Sequence, residues 1–245
     1  AWEYNAYDFW VSQVGTPAER AKEDLENPRA MLRKYSKYLD DVQGKRIANI
    51  CGSCGKKAVP LAIMGASVTV FDISKENMRY ACETAEAAGT KMEYIVGDVM
   101  DIELSVYGNY FDIVFMEGGI LHYFHDINQF MEVMNKLLKK DGIMICSDFH
   151  PIHKIIDANG LGNPKVDYFS SMILEGEMAH AKFYDEEKRK NFPKVSIRLY
   201  TLSEIINSVI NNGFHLISFD EHPSWTDKNL PGEFTILASK TVIST

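Results

Sequence analysis

The chain has 245 residues, 46% of them apolar, enough for one domain with a full core. Its formal charge of -8 and pI near 5.4 argue against a non-specific grip on nucleic-acid phosphates, which depends on Lys and Arg density. No apolar run reaches the length of a transmembrane helix, and the opening AWEYNAYDFW lacks the positive n-region and apolar h-region of a signal peptide.

In chain order, residues 1–44 read as an amphipathic helical cap broken at Pro17 and Pro28. Asn27-Pro28 has the form of a helix cap followed by a first-turn proline, predicting a helix from Arg29 to about Leu39. The apolar run Arg46–Cys51 reads as a buried first strand. A helix follows from about Lys56 to Met64, closed by Gly65, and then a second strand, Ser67–Asp72. Ser74 caps the next helix, which runs to about Ala88 and stops at Gly89. A third strand, Met92–Val96, leads to Gly97-Asp98, and a fourth, Phe111–Met116, leads to Glu117-Gly118-Gly119. A helix from about Ile127 to Lys139 precedes a fifth strand, Ile143–Asp148, which ends at Phe149-His150-Pro151.

Strands alternating with helices predict a doubly wound, mostly parallel α/β sheet. The rhythm stops over residues 152–200, where Gly160, Gly162, Pro164, Pro193 and the charge run Asp185–Lys190 read as an inserted lid. It resumes with a helix capped by Thr201 or Ser203 and ending at Asn212-Gly213. A sixth strand, Phe214–Asp220, and a seventh, Phe234–Ser239, are joined too closely for a helical crossover, so they are expected to pair as an antiparallel hairpin. One domain over residues 1–245 is the expectation.

The segment Ile47–Asp72 (IANICGSCGKKAVPLAIMGASVTVFD) carries the most chemical information. It sets a turn of small side chains beside a helix N-terminus and puts Asp72 at the tip of the neighbouring strand, in reach of ribose hydroxyls. That arrangement suits an adenosine-containing cofactor. Cys51-Gly-Ser-Cys54 in the same turn is also a C-x-x-C, and a redox dithiol there would gain from the helix dipole. Cys82 and Cys146 stand apart from it, so no zinc ligand set, and no metal, is expected. Four cysteines in a chain this long point to a reducing cytoplasm rather than a disulfide framework. A nicotinamide cofactor would call for G-x-G-x-x-G, which this turn does not supply.

Six posts in order along the chain resemble the class I S-adenosylmethionine-dependent methyltransferases, small-molecule branch. They are Asn49–Gly55, Asp72, Gly97-Asp98-Val99, the run from Phe111-Asp112-Ile113-Val114 through Glu117-Gly118-Gly119 to Leu121-His122-Tyr123, Leu137–Gly142, and Asn212-Gly213-Phe214. The resemblance implies a Rossmann-like seven-stranded sheet with an antiparallel last strand, S-adenosyl-L-methionine as cofactor and direct in-line methyl transfer to a small molecule, without nucleic-acid or membrane partners. It implies that Cys51, Gly52 and Ser53 pass close to the methionine moiety. Asp72 would accept from the ribose hydroxyls with Ile73 on the adenine, Asp98 and Val99 would flank the adenine amino group, and Glu117 and Gly118 would lie near the transferable methyl. Tyr7 and Arg29 would close the site from the cap, Arg29 on the cofactor carboxylate. Cys51 and Ser53 stand where the family usually has glycine, and Asn49 where it usually has an acid.

For a base, the candidates are His122, His150 and Glu117, which follow the fourth and fifth strands at the ligand edge of such a sheet. Tyr168, Phe169, Met172, Met178 and Phe183 are candidates to line a substrate pocket or to form the insertion's own core. Two further readings stand beside methyl transfer: a binding or scaffold protein that keeps the fold without catalysis, and a dithiol redox protein using Cys51 and Cys54.

Overall fold

The structure is a computed structural model, and it describes residues 2–155, 167–177 and 181–241. Along the chain run α1 (Ala6–Val14), α2 (Pro17–Glu26), α3 (Pro28–Met31), β1 (Arg46–Ile50), α4 (Ala58–Ile63), β2 (Ser67–Asp72), α5 (Lys75–Ala87) and β3 (Glu93–Val96). Then come α6 (Leu104–Tyr107), β4 (Phe111–Glu117), α7 (Ile127–Leu137), β5 (Leu138–Phe149), α8 (Pro151–Ile155), β6 (Ile173–Glu177), α9 (Glu186–Arg189), β7 (Lys194–Arg198), α10 (Leu202–Asn211), β8 (Phe214–Pro223) and β9 (Pro231–Lys240).

Seven strands form one sheet in the order β3-β2-β1-β4-β5-β9-β8. The first five strands are parallel, and β9 lies antiparallel between β5 and β8. The α/β sheet with an antiparallel final hairpin is therefore as the sequence predicts. Alternation explains why both faces are covered: in β4, Ile113 and Phe115 enter one apolar layer and Val114 and Met116 the other. The first layer packs on Leu32, Tyr35, Leu39 and α4; the second packs on α7 and α10. Helix α7 presents Ile127, Phe130, Met131, Met134 and Leu137 to the sheet at helical spacing, and the Asp126 carboxylate caps it by accepting from Asn128 and Gln129 N–H at 2.9 and 3.1 Å.

The sheet order reverses between β1 and β4. The chain lays β2 and β3 to one side and β4 and β5 to the other, which opens a crevice beyond the carboxyl ends of β1 and β4.

Three elements differ from expectation. The helix predicted over Arg29–Leu39 stops after α3; Arg33 sits at φ +54 and a 3-10 turn, Arg33–Lys37, follows. Tertiary packing overrides helix propensity here, since Leu32, Tyr35 and Leu39 are all buried and the Tyr35 hydroxyl donates to Ser147 Oγ at 3.2 Å. The helix predicted to reach Lys139 ends at Leu137, because Leu138 already pairs with Phe111 in β5. The inserted region, expected as a lid, carries an antiparallel hairpin of β6 and β7, and α9 occupies its charge run. Among the described residues no helix is long and apolar enough to cross a membrane.

Candidate functional site

A cavity of about 490 Å³ occupies the crevice, within the range of about 300–1,000 Å³ typical of small-molecule sites. Every strand-to-helix turn from β1 to β4 reaches it. Cys51, Gly52 and Ser53 come from the first turn, Asp72 and Ile73 from the second, Gly97, Asp98 and Val99 from the third, and Glu117, Gly118 and Gly119 from the fourth. A roof is added by Trp2, Ala6, Phe9 and Trp10 of the N-terminal cap, by Tyr123 and Phe124 after β4, and by Phe183 of the insertion.

The first turn is folded tightly against the strand tips. Cys51 and Ser53 both take φ +50, the left-handed region that L-residues enter at a cost. Gly52 between them has to be glycine on steric grounds: a Cβ there would stand 2.5 Å from Asn49 Oδ1 and 2.7 Å from Val70 Cγ1. Cys51 N–H donates to the Phe71 carbonyl at 2.7 Å, and the Tyr94 hydroxyl donates to the Ser53 carbonyl at 2.8 Å.

Asp72 clasps this turn as well as facing the cavity. Its Oδ2 accepts from Ser53 N–H at 3.0 Å, and its Oδ1 accepts from Ser74 N–H at 3.0 Å and Asn77 Nδ2 at 3.3 Å. A carboxylate has about four lone-pair sites, so Asp72 keeps room for one further donor, on Oδ2. Burial pushes its carboxyl above the usual range, and the hydrogen bonds from Ser74, Ser53 and Asn77 oppose that. Ile73 beside it is 52% exposed, an apolar side chain left uncovered on the cavity wall. Asp98 Oδ1 accepts from Met100 N–H at 2.9 Å.

The wall also fits an adenosine-type ligand at other points. Asn49 is buried, and its Oδ1 is a buried acceptor without a partner. Gly97 and Gly118 border open space where a side chain would stand. Two cations missed by the sequence reading face the same space. Lys57 donates to the Met31 carbonyl at 2.6 Å, and Lys56 Nζ lies 4.5 Å from the Trp10 ring centroid. Burial lowers the pKa of both ammonium groups. Spacing could have found them, since both immediately follow the small-residue turn.

The structure does not bring Tyr7 or Arg29 to the cavity wall. The Tyr7 hydroxyl bonds Glu83 and its ring packs on Tyr80, while Arg29 pairs with Asp40 on the surface. Of the three nominated bases, only Glu117 lines the large cavity. His122 packs against the Tyr123 ring, centroids 4.0 Å apart, and borders a separate small space of about 30 Å³ shared with Asp148 and Tyr168. His150 is buried under the β5–β9 edge, its Nδ1 accepting from Ile152 N–H at 3.2 Å. Its Nε2 lies 3.1 Å from Glu221 Oε1, and burial lowers its pKa while Glu221 opposes that. Phe183 reaches the large cavity and Tyr168 the small one; Phe169 and Met172 are exposed, and Met178 lies outside the described residues.

The thiols are poorly suited to redox exchange. Burial pushes the Cys54 thiol up to about 12 and the Cys51 thiol well above its ordinary value, with Asp72, Asp98 and Asp148 adding to the latter; Cys51 keeps some surface on the cavity but sits among atoms on every other side. A reactive dithiol needs the opposite shift.

Residues 50–146 match the model of a family described as a methyltransferase domain. Over that stretch the chain is similar to the class I S-adenosylmethionine-dependent methyltransferases. Among curated relatives of this chain, a ubiquinone biosynthesis O-methyltransferase of Rhizobium etli is 34% identical over 104 residues, covering 42% of this chain and 40% of the relative. One from Pelagibacter ubique is 36% identical over 113 residues, covering 46% and 44%. The chain thus spans less than half the length of the curated relatives it matches. Among solved structures, a putative S-adenosylmethionine-dependent methyltransferase from Listeria monocytogenes superposes with a TM-score of 0.67 at 19% identity, covering 86% of this chain and 98% of the other. That likeness supports the methyltransferase fold.

Proposed function

We propose that this chain transfers a methyl group from S-adenosylmethionine to a small-molecule acceptor by direct in-line displacement. The observation that supports this best is the convergence of four strand-tip turns on one cavity, with Asp72 keeping an acceptor site open toward it. The names of the curated relatives, which speak of O-methylation in ubiquinone biosynthesis, favour a small-molecule acceptor. The four free thiols suit a reducing compartment such as the cytoplasm.

When bound, the cofactor supplies an electrophilic methyl group on a sulfonium leaving group. Asp72 would accept from one ribose hydroxyl while continuing to clasp the turn. Ile73 would cover one face of the adenine, and Asp98, through its second oxygen, would accept from the adenine amino group. The Asn49 amide oxygen gives the methionine ammonium an acceptor. Lys56, rather than Arg29, is the cation in place for the methionine carboxylate. Because charge is neutralised as the methyl leaves sulfur, the aromatic roof would serve by excluding water and holding the acceptor in line. Glu117 is the base in place for a proton released by the acceptor.

Calorimetric titration with S-adenosylmethionine tests the proposal. Micromolar binding that is weakened in Asp72→Ala supports it. No heat at millimolar ligand would favour the scaffold reading.

A further inference from the structure

We propose that a buried row of hydroxyls, Tyr35, Ser147 and Thr235, joins the Glu117 carboxylate to His222 on the outer strand and carries the proton that Glu117 takes up out to that edge. The inference rests on the methyltransferase reading above and adds to it the fate of the acceptor's proton.

The register of the sheet sets the row. Glu117 on β4 is the Cα partner of Ser147 on β5, and Ser147 is the Cα partner of Thr235 on β9. All three take the face of the sheet that Phe115, Ile145 and Leu237, each two residues away, fill with an apolar layer. Tyr35 packs over that face, its ring centroid 5.3 Å from that of Phe115, and its hydroxyl donates to Ser147 Oγ at 3.2 Å. Thr235 Oγ1 stands 3.1 Å from Ser147 Oγ, and His222 Nε2 on β8 stands 2.8 Å from Thr235 Oγ1. Burial raises the Tyr35 hydroxyl above its ordinary value, and the neighbouring Glu117 charge adds to that.

Stability does not call for this row. Ser147 and Thr235 are fully buried, and exchanging both partners of a buried hydrogen bond for apolar groups of the same shape is close to neutral. Access differs between the ends. Glu117 lines the cavity, which donor and acceptor would fill, whereas His222 is half-buried on the outer strand and keeps surface in water. Burial and the charges of Lys34 and Lys37 lower the His222 pKa, with Glu233 and Asp220 opposing them, so a proton arriving there is readily released. The charged or titratable neighbours of Glu117 are Tyr35, Lys56 and Lys57.

The transfer balances. Hydroxyl hydrogens turn about the C–O bond. Ser147 turns toward Thr235 from the Phe234 carbonyl, to which it donates at 2.7 Å. Thr235 turns toward His222 Nε2, which accepts in the tautomer carrying its hydrogen on Nδ1. Glu117 then gives its proton to the Tyr35 oxygen, Tyr35 gives its own to Ser147, Ser147 to Thr235, and Thr235 to Nε2. Each hydroxyl loses one hydrogen and gains another, Glu117 returns to carboxylate, and the imidazolium releases the proton to water.

Histidine NMR on the full chain tests the row without an acceptor. The His222 signal, assigned with His222→Gln, is titrated from about pH 5 to 8. The Glu117 charge, felt through aligned hydroxyls, favours the protonated imidazole. Glu117→Gln should therefore lower the His222 midpoint by about 0.3 or more, roughly a two-fold loss of proton affinity. In Ser147→Ala or Tyr35→Phe, which cut the row, the same exchange should move the midpoint by less than about 0.1. A midpoint that Glu117→Gln leaves in place, or a shift that persists in both cut backgrounds, overturns the proposal. Calorimetry with S-adenosylhomocysteine on the same parent separates the two readings. Heat without movement of His222 sinks the row alone; no heat overturns the methyltransferase reading and, with it, the row as a catalytic path.

Discussion

The two ends of the cavity are built by different means. At the β1–β3 end the wall is backbone and short polar side chains, fixed by hydrogen bonds between neighbouring turns: Ser53 and Ser74 N–H on Asp72, and the Tyr94 hydroxyl on the Ser53 carbonyl. Across from it the roof is large aromatic side chains drawn from remote segments, Trp2 and Phe9 from the N-terminus, Tyr123 after β4 and Phe183 from the insertion. The first end is local in sequence and is the proposed cofactor end. The second is assembled only by tertiary packing and is the proposed acceptor end. Substitutions at the two ends should therefore move different observables.

The largest effect is expected at the acceptor end. Glu117→Gln removes the base while preserving shape. Methyl transfer to an acceptor that releases a proton should fall by roughly 10²–10⁴-fold, with S-adenosylhomocysteine affinity changed less than three-fold by calorimetry. Equal losses in both would mean that Glu117 belongs to the cofactor end.

Next comes Asp72. Asp72→Ala removes the acceptor from two turn N–H groups, each costing about 1–3 kcal/mol if left unpaired, and should weaken cofactor binding by about 100-fold or more. Asp72→Asn separates binding from folding. Burial raises the folded-state pKa of Asp72 above its unfolded value. The stability it contributes is therefore present at pH below the unfolded pKa and is lost as pH rises through the folded one. The uncharged Asn escapes that loss, so its urea midpoint at pH 7 should fall less than that of the Ala variant, and its deficit relative to the parent should shrink as pH rises from 4 to 7. Cofactor affinity should still drop. A midpoint that falls as far in Asn as in Ala would place the importance of the carboxylate in the fold rather than the ligand.

A smaller effect tests whether the ends are coupled. Trp10 Nε1 donates to Asn77 Oδ1 at 2.8 Å, and Asn77 Nδ2 donates to Asp72 Oδ1 at 3.3 Å, so the roof helix is tied to the carboxylate through one amide. Trp10→Phe keeps a ring against Lys56 but deletes the N–H. One neutral hydrogen bond is worth about 0.5–1.5 kcal/mol, so cofactor affinity should fall about 2–12-fold. In a double-mutant cycle with Asp72→Asn the two losses should be less than additive. Full additivity would show two independent ends.

How much could be read from the chain follows the same division. The sheet, its final hairpin and the caps at Asn27, Ser74 and Thr201 were legible because each rests on local pattern and side-chain chemistry. The four strand-tip turns were legible for the same reason. The roof was not, beyond its general aromatic character, because nothing local says that Trp10 will face the cavity while Tyr7, three residues earlier, turns to Glu83 on α5. His122 and Tyr123 show the limit at one-residue scale: both follow the tip of β4 on a 3-10 turn and their rings touch, yet only Tyr123 lines the main cavity. Asp148 supports that turn, its Oδ2 accepting from Ile120 and Leu121 N–H at 2.8 Å each, a long-range contact absent from any local motif.

The smallest expected effect bears on whether the polar end is built before the ligand arrives. Cys51 and Ser53 each hold φ +50, a conformation costing an L-residue about 1–2 kcal/mol. Cys51→Gly and Ser53→Gly relieve that strain but add about 0.5–1 kcal/mol of chain entropy to the unfolded state, so the urea midpoint should move little, and upward if at all. The hydrogen bonds from Cys51 N–H to Phe71, from Ser53 N–H to Asp72 and from Tyr94 to Ser53 already hold both residues in place. Cofactor affinity in the glycine variants should therefore stay within three-fold of the parent. Ser53→Val, whose branched side chain resists positive φ, should lower both stability and affinity. A ten-fold gain in affinity from glycine would mean that the free chain does not keep the turn in its bound shape. The polar end would then be ordered by its ligand, and the contrast with the aromatic end would be one of chemistry alone.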